Sequence, residues 1–319
     1  MEIKNRELPS LFEAINQPIS GEILRIDFLF VLSLILIGLQ VLLGAETGIK
    51  TSGMSFQLFE IGKILLAIYL ADWLFREEEN KFIFPFWLPY FLTFIPFVTL
   101  IFTIGDFSPT IVFLPLLVTH FLLLRTSTRN KFLFIFAGLF LSGLIVFYSL
   151  SNFQPPEVVQ RILSWIYPGI YTDKSEQFTR AFWLFKGGGL QGSFPEPFQI
   201  AHFVPLVQFD FALSLFTANF GFLGDILLFV TVLIPSVIPF KFIKPSGLSY
   251  EGIWNFYSSF FLTLLFISQA AIPFLILTGL LPVMGQPFPF FSKANSNLLF
   301  FSIPYFLFLI YGTGDAHAQ

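Results

Sequence analysis

The chain has 319 residues, of which 55% are hydrophobic and 12% charged, and its mean hydropathy is +0.78. Soluble domains carry about 25% charged residues, so this chain has more apolar surface than a water-soluble fold can bury. It has no cysteine and only three scattered histidines, which excludes thiolate chemistry and argues against a metal centre built on His and Cys. A formal net charge of -3, without a basic run, argues against a nucleic-acid partner.

Apolar stretches recur along the chain at lengths that suit the hydrocarbon core of a bilayer, which takes about 17 to 25 helical residues. They lie at 26–45, 55–75, 83–104, 108–124, 132–150, 211–234, 253–281 and 298–311, of which the fourth and the last are the shortest. The predicted fold class is therefore all-α, a polytopic transmembrane helical protein with about eight spans.

Lysine and arginine positions predict the orientation of these spans, because short cytoplasmic loops hold an excess of both residues. Residues 1–25 are polar, mixed in charge and without a cleavable signal sequence, and we predict a cytoplasmic tail there. The first five spans, within 26–150, then place the hydrophilic segment 151–208 on the extracytoplasmic side. The last three spans lie within 209–312 and precede a short tail at 313–319. A loop as long as 151–208 is uncommon unless it is functional, so we expect the site there and at the helix ends beside it.

The span at 55–75 carries two charged side chains near its start. Glu60 and Lys63 lie three residues apart and therefore share one face of a helix. A charge at mid-bilayer costs roughly 2.5 to 3.5 kcal/mol on insertion scales, which predicts that the pair faces the protein interior. A structural ion pair near the membrane interface explains the same pattern.

Two aspartates stand at helix ends on the predicted outer side. Asp106 lies in a tight turn between two spans, and Asp210 follows His202 and Pro205 at the mouth of the span at 211–234. Each is either a functional carboxylate or a residue that caps the next helix.

The long outer segment combines cations, aromatic residues and glycines. Arg161 lies near its start and Gln177 follows, and Arg180 and Lys186 could face an anion. Gly188 and Gly189 belong to a glycine run that allows close approach of the backbone to a ligand, although a flexible loop has the same composition.

A break follows the span that holds Gln269. Residues 279–292 contain three prolines and two glycines and end on Ser292. Such a sequence interrupts a helix at membrane depth, which is tolerated only where protein or a water-filled cavity shields the backbone.

In order and spacing, these segments resemble the SEDS family (shape, elongation, division and sporulation), the RodA and FtsW type of cell-wall polymerase. Gln57, Glu60 and Lys63 match its Q-P-S-E-x-x-K segment, and Asp106 matches its P-D-L-G-T turn. Further matches follow in chain order at Arg161, Trp165, Pro168, Gln177, Gly188, Gly189, Gly192, Val204, Pro205, Asp210, Gly221, Gly224, Gln269, Gly279, Pro282, Gly285, Pro289, Phe290 and Ser292. The resemblance covers residues 22–312.

The resemblance implies a peptidoglycan glycosyltransferase that polymerises lipid II, a lipid-linked disaccharide-pentapeptide, at the outer face of the bacterial cytoplasmic membrane. It implies that Asp210 is the catalytic base, that Lys63, Arg161 and Lys186 are counter-charges for the pyrophosphate leaving group, and that Glu60 orients Lys63. The other residues implied to bind substrate are Asp106, Gln177, Gly188, Gly189, Pro205, Gln269 and Ser292. A class B penicillin-binding protein is the implied transpeptidase partner. The resemblance does not imply a definite cofactor, and it leaves open whether a divalent cation is needed.

The chain also departs from this family, which usually has ten spans. The family's paired glutamates are Ala218 and Asn219 here, the asparagine after its glutamine is Pro273, and its S-Y-G-G-S has become Ser-Lys-Ala-Asn-Ser at 292–296. Two functions therefore stay open: an active, divergent lipid II polymerase, or a non-catalytic membrane scaffold or lipid-binding subunit of a cell-wall complex. A flippase or secondary transporter would suit the broken helices, but the sequence shows no inverted repeat.

Overall fold

A computed structural model of the chain gives the fold. It describes residues 31–36, 38–39, 49–51, 54–56, 58–79, 108–123, 157–167, 172–192, 204, 208–237, 250–282, 284–293 and 297–314. The spans predicted at 83–104 and 132–150 lie outside the described residues, as do Asp106 and Pro205. The number of spans and their orientation therefore stay predictions.

The described elements are helices apart from one β-hairpin. In the hairpin, β1 (Ile49–Thr51) pairs with β2 (Met54–Phe56) in antiparallel register. The helices are α1 (Leu58–Glu79), α2 (Ser108–Leu123), α3 (Glu157–Ile166), α4 (Thr172–Gly187), α5 (Ala212–Val237), α6 (Tyr250–Leu277) and α7 (Ile303–Gly314). A π-helical turn, Leu298–Ser302, leads directly into α7. The predicted helical class is confirmed, and the short hairpin is an addition to it.

Helix α6 lies at the centre of the bundle and packs against α1, α2, α5 and α7. Its Phe266 ring stacks on Tyr305 of α7 with 4.5 Å between ring centroids. By length and composition, α5 and α6 are the two described helices that could cross a membrane. Their surroundings differ, because 67% of the apolar window of α6 is buried and only 17% of that of α5. Helix α5 therefore lies at the edge of the bundle, with exposed apolar side chains that include Phe220, Leu223 and Leu227.

Three boundaries differ from the sequence prediction. The span predicted at 253–281 ends at Leu277, and Gly279 then takes a φ of 76°, a left-handed conformation that glycine adopts without a steric penalty. The span predicted at 298–311 starts with the π-helical turn and runs on to Gly314. The segment 151–208, predicted as one long loop, contains α3 and α4. Ile162 of α3 packs against the core of the bundle, which explains why this helix is held there.

Candidate functional site

Glu60 and Lys63 form an ion pair at the start of α1. Lys63 Nζ lies 2.7 Å from Oε2 of Glu60, and the two side chains are 1% and 4% exposed. Their spacing of three residues brings both onto one face of the helix. Because isolated charges are costly in an apolar span, the pair faces the protein interior, as the sequence predicts.

Two amide side chains from distant parts of the chain complete this pair. Lys63 Nζ donates to Oε1 of Gln269 on α6 at 3.0 Å, and Nδ2 of Asn297 donates to Oε2 of Glu60 at 3.1 Å. The Ser302 hydroxyl in turn donates to Oδ1 of Asn297 at 3.3 Å. These five residues, the ion-pair cluster, therefore join α1, α6 and the π-helical turn before α7.

Sequence reasoning found Glu60, Lys63 and Gln269 but missed Asn297 and Ser302. Asn297 ends the mostly polar run 292–297 just before an apolar stretch, which is a weak signal by itself. Its partner Glu60 lies 237 residues earlier in the chain, so no local pattern connects them.

Lys63 is closed off from solvent. Besides its two hydrogen-bond partners, its ammonium lies 4.9 Å from the ring centroid of Phe301 and 5.4 Å from that of Phe59, within the range of cation–π attraction. An anionic substrate reaches Lys63 only if Glu60 or Gln269 moves away. In this conformation Lys63 holds helices together, and its role as a counter-charge stays a prediction.

Asp210 lies two residues before α5 and is partly buried. Its carboxylate packs against Gly285: a methyl group on Gly285 would lie 2.9 Å from Oδ2 and 3.0 Å from Cγ of Asp210. Real Cβ atoms are almost never this close to another heavy atom, so glycine is the residue that fits. Gly285 thus lets the backbone approach the predicted catalytic base.

Residues 278–293, which we call the outer loop, connect several parts of the site. Nε1 of Trp165, on α3, donates to the carbonyl oxygen of Gly279 at 2.8 Å. The backbone N–H of Lys293 donates to the carbonyl oxygen of Gln208 at 2.8 Å. Within the loop, the N–H of Phe288 donates to Oγ of Ser292 at 2.8 Å. Ser292, predicted to bind substrate, closes a turn of the outer loop in this structure.

The glycine run after α4 packs against the backbone of α5. A methyl group on Gly188 would lie 2.1 Å from the carbonyl oxygen of Thr217, and one on Gly192 would lie 2.0 Å from that of Asn219. Gly189, in contrast, has open space beside its Cα. The close approach expected of these glycines is present, and at Gly188 and Gly192 its partner is a protein helix. Substrate binding at Gly188 and Gly189 stays a prediction.

Gly221 explains why α5 can receive this turn. It has φ 67° and ψ -178°, values that interrupt the helix and that glycine tolerates best. The N–H groups of Phe222 and Leu223 donate instead to the carbonyl oxygens of Gly189 and Leu190, at 2.9 and 3.1 Å. The glycine run and the kink in α5 therefore depend on each other.

Asp225 is a second buried carboxylate that sequence reasoning missed. It is 3% exposed, and the Thr217 hydroxyl lies 2.7 Å from its Oδ2. Among the described residues its Oδ1 has no hydrogen-bond partner. A lone aspartate in the middle of an apolar stretch is the signal that could have identified it, because such residues are rare in membrane spans.

The remaining predicted residues are spread around the outer loop and α4. Arg161 is partly buried in α3, and Lys186 is exposed in the last turn of α4. The backbone of Gln177 belongs to α4, but its side chain lies outside the described part of the structure. Within that described part, no three metal-ligating side chains form a group.

The geometry thus gives two clusters linked by one stretch of chain. Asp210 and Gly285 meet at the outer loop, and a few residues later Asn297 enters the ion-pair cluster. A carboxylate at a helix mouth is placed to accept a proton from a bound hydroxyl, whereas the buried pair is placed to fix the helices behind it.

A helical bundle with a charged pair buried between apolar helices defines a polytopic helical membrane protein. A sequence profile of the FtsW, RodA and SpoVE family, described as cell cycle proteins, matches residues 17–310. The chain belongs to this family, and the resemblance to SEDS proteins is confirmed.

Relatives and a solved structure agree with this assignment. The probable peptidoglycan glycosyltransferase FtsW of Idiomarina loihiensis is 26% identical over 293 residues, covering 88% of this chain and 67% of the relative. The protein of the same description from Borreliella burgdorferi is 30% identical over 263 residues, covering 80% of this chain and 68% of the relative. A chain from a structure on coordination of polymerization and crosslinking by a peptidoglycan synthase complex matches with a TM-score of 0.63 at 19% identity, over 92% of this chain and 84% of that one. The predicted SEDS-like fold is confirmed.

Proposed function

We propose that this protein is a lipid II polymerase that extends glycan strands at the outer face of the bacterial cytoplasmic membrane. The observation that carries the proposal is Asp210, which lies at the mouth of α5 with its carboxylate against Gly285. Family membership supports the reaction class. The relatives are described only as probable peptidoglycan glycosyltransferases, which leaves open whether elongation, division or sporulation is served.

The proposed reaction needs a base and a route for the leaving group. The Asp210 carboxylate accepts the proton of an acceptor sugar hydroxyl, and the hydroxyl oxygen forms a bond to the anomeric carbon of the donor sugar. The bond from that carbon to the pyrophosphate oxygen breaks, and the electron pair leaves with undecaprenyl pyrophosphate. Efficient proton transfer requires a carboxylate within about 2.6 to 3.2 Å of the hydroxyl, and a partly buried position at a helix mouth suits that contact.

The orientation proposed for this reaction has a cytoplasmic N-terminus and places Asp210 on the extracytoplasmic side, where lipid II is consumed. Exposed apolar side chains along α5, including Leu223, Leu227 and Ile234, offer a surface for lipid chains. A class B penicillin-binding protein is the proposed partner that cross-links the strands.

A second function is favoured by two observations, namely that Lys63 is sealed behind Glu60 and Gln269, and that Ala218 and Asn219 stand where the family has glutamates. In this alternative the protein is a non-catalytic scaffold or lipid-binding subunit of a cell-wall complex. The fold is then kept while the reaction is lost.

Polymerisation of purified lipid II by the full chain in liposomes, with and without a class B penicillin-binding protein, separates the two functions. The wild type is compared with Asp210→Asn and with Glu176→Gln, a control that removes an exposed carboxylate paired with Arg180 on α4. Glycan strands from the wild type and the control, but not from Asp210→Asn, support the polymerase. If none of the three folded proteins polymerises lipid II with any partner tried, the non-catalytic scaffold function is supported.

A further inference from the structure

The reaction proposed above releases a diphosphate, and the buried lysine is poorly placed to receive it. The Lys63 side chain is 1% exposed and its Nζ is held at 2.7 Å from Glu60 and 3.0 Å from Gln269. An exposed cation near Asp210 would meet the diphosphate without breaking that cluster.

Lys293 is attached to the same piece of backbone as Asp210. Its N–H donates to the carbonyl oxygen of Gln208 at 2.8 Å, and Gln208 precedes Asp210 by two residues. Two residues of chain span at most about 7 Å, so the two side chains start from neighbouring positions. The lysine ammonium is carried on a flexible four-carbon stem, which lets it sample the space around this segment.

The part of the outer loop that precedes Lys293 fixes this arrangement. Immediately before Lys293, the N–H of Ser292 donates to the carbonyl oxygen of Phe288 at 3.1 Å, and the Ser292 hydroxyl accepts from the Phe288 N–H. Earlier in the loop, Gly285 lies against the Asp210 carboxylate. The base and the lysine are therefore held by one loop rather than by separate mobile segments.

The ammonium group of Lys293 is accessible to a ligand. Its side chain is exposed, and within the described part of the chain it forms no ion pair. An ammonium beside a reacting centre stabilises the negative charge that develops on a leaving phosphate.

We infer that Lys293 binds the diphosphate of a polyprenyl-linked substrate and acts as the accessible counter-charge of the Asp210 site. This inference rests on the proposed function for the identity of the diphosphate. Lys293 is the better placed cation because Lys63 is buried in the ion-pair cluster.

Binding of undecaprenyl pyrophosphate to the purified full chain in nanodiscs of uncharged lipid tests the inference. The variants are Lys293→Ala, Lys293→Arg and Lys241→Ala, the last a control that removes a lysine just beyond the far end of α5. We expect the Kd to rise about tenfold for Lys293→Ala, the usual effect of one hydrogen bond to a charged group, and to change little for the other two. Undecaprenol, which lacks the diphosphate, should bind the wild type and Lys293→Ala equally.

Two results overturn the inference: an equal Kd for the wild type and Lys293→Ala, or no binding of undecaprenyl pyrophosphate by the wild type. A third arm repeats the titration with phosphatidylglycerol nanodiscs, and a loss in Lys293→Ala that appears only there assigns the lysine to an anionic headgroup and also overturns it. Polymerisation measured on the same samples separates this test from the previous one. If Lys293→Ala loses binding and the wild type does not polymerise lipid II, the diphosphate site is supported and the polymerase function is contradicted. If Lys293→Ala binds as tightly as the wild type and the wild type polymerises lipid II, the polymerase function is supported and the role of Lys293 is contradicted.

Discussion

Gly285 and Asp210 are in contact although 75 residues separate them (285 minus 210), and the contact leaves no room for a methyl group, which would lie 2.9 Å from Oδ2 of the carboxylate. The outer loop therefore closes one side of the space around the carboxylate.

Replacing Gly285 with alanine tests this relationship. We expect Gly285→Ala to displace the Asp210 carboxylate and to lower lipid II polymerisation about 10- to 100-fold, because small misplacements of a catalytic group have effects of this size. The matched control is Gly38→Ala, since Gly38 has nothing within 4 Å of an added Cβ. Polymerisation rates and thermal unfolding are measured for both. Full activity in Gly285→Ala would show that the carboxylate does not depend on this contact.

Removal of Lys63 should destabilise the fold strongly. Lys63→Met leaves Glu60 as a buried, uncompensated charge, so the free energy of unfolding should fall by about 3 to 5 kcal/mol. Adding Glu60→Leu to that variant should restore much of the loss, because the unpaired carboxylate is then gone. Thermal unfolding in detergent gives the order of stability. The exposed pair of Glu176 and Arg180 is the comparison, and Glu176→Gln should cost no more than about 1 kcal/mol.

Asn297 should contribute through its amide rather than its size. Asn297→Ala removes the hydrogen bond to Glu60 and should cost about 1 to 3 kcal/mol, the usual penalty for leaving a buried charged group with one partner fewer. Asn297→Asp, which has nearly the same shape, should be less stable still at neutral pH, since it places a second carboxylate beside Glu60. If the two variants unfold at the same temperature, the amide donor has no special role.

The glycine run offers a contrast between neighbours. Gly188→Ala should prevent the turn from packing on α5, because the methyl group would lie 2.1 Å from the Thr217 carbonyl oxygen. Gly189→Ala faces open space and bears only the strain of a φ of 56°, expected to cost about 1 kcal/mol. Limited proteolysis of the segment between α4 and α5 compares the two. Equal protection of both variants would contradict the packing described.

Hydropathy and local spacing predicted a good part of this structure. The long apolar spans of α5 and α6, the inward orientation of Glu60 and Lys63, and the position of Asp210 at a helix mouth follow from patterns within about 30 residues. These features depend on period and composition, which the sequence carries directly.

The contacts that define the site could not be predicted in the same way. Asn297 meets Glu60, Gly285 meets Asp210, and Gly188 meets Thr217 only after distant elements pack together. The glycine run illustrates the difficulty, because its composition indicates close approach but does not say whether a ligand or a helix occupies the space. The π-helical turn before α7 likewise leaves no clear trace in an apolar sequence.

The long separations within the ion-pair cluster have a consequence for biosynthesis. Gln269 follows Lys63 by 206 residues and Asn297 follows Glu60 by 237, so α1 leaves the ribosome well before either amide exists. At about 5 to 20 residues per second, the delay is on the order of 10 to 40 s. During that time the glutamate and the lysine, three residues apart, neutralise each other on the nascent helix. Their local pairing thus allows an early helix to enter the bilayer before its final neighbours have been translated.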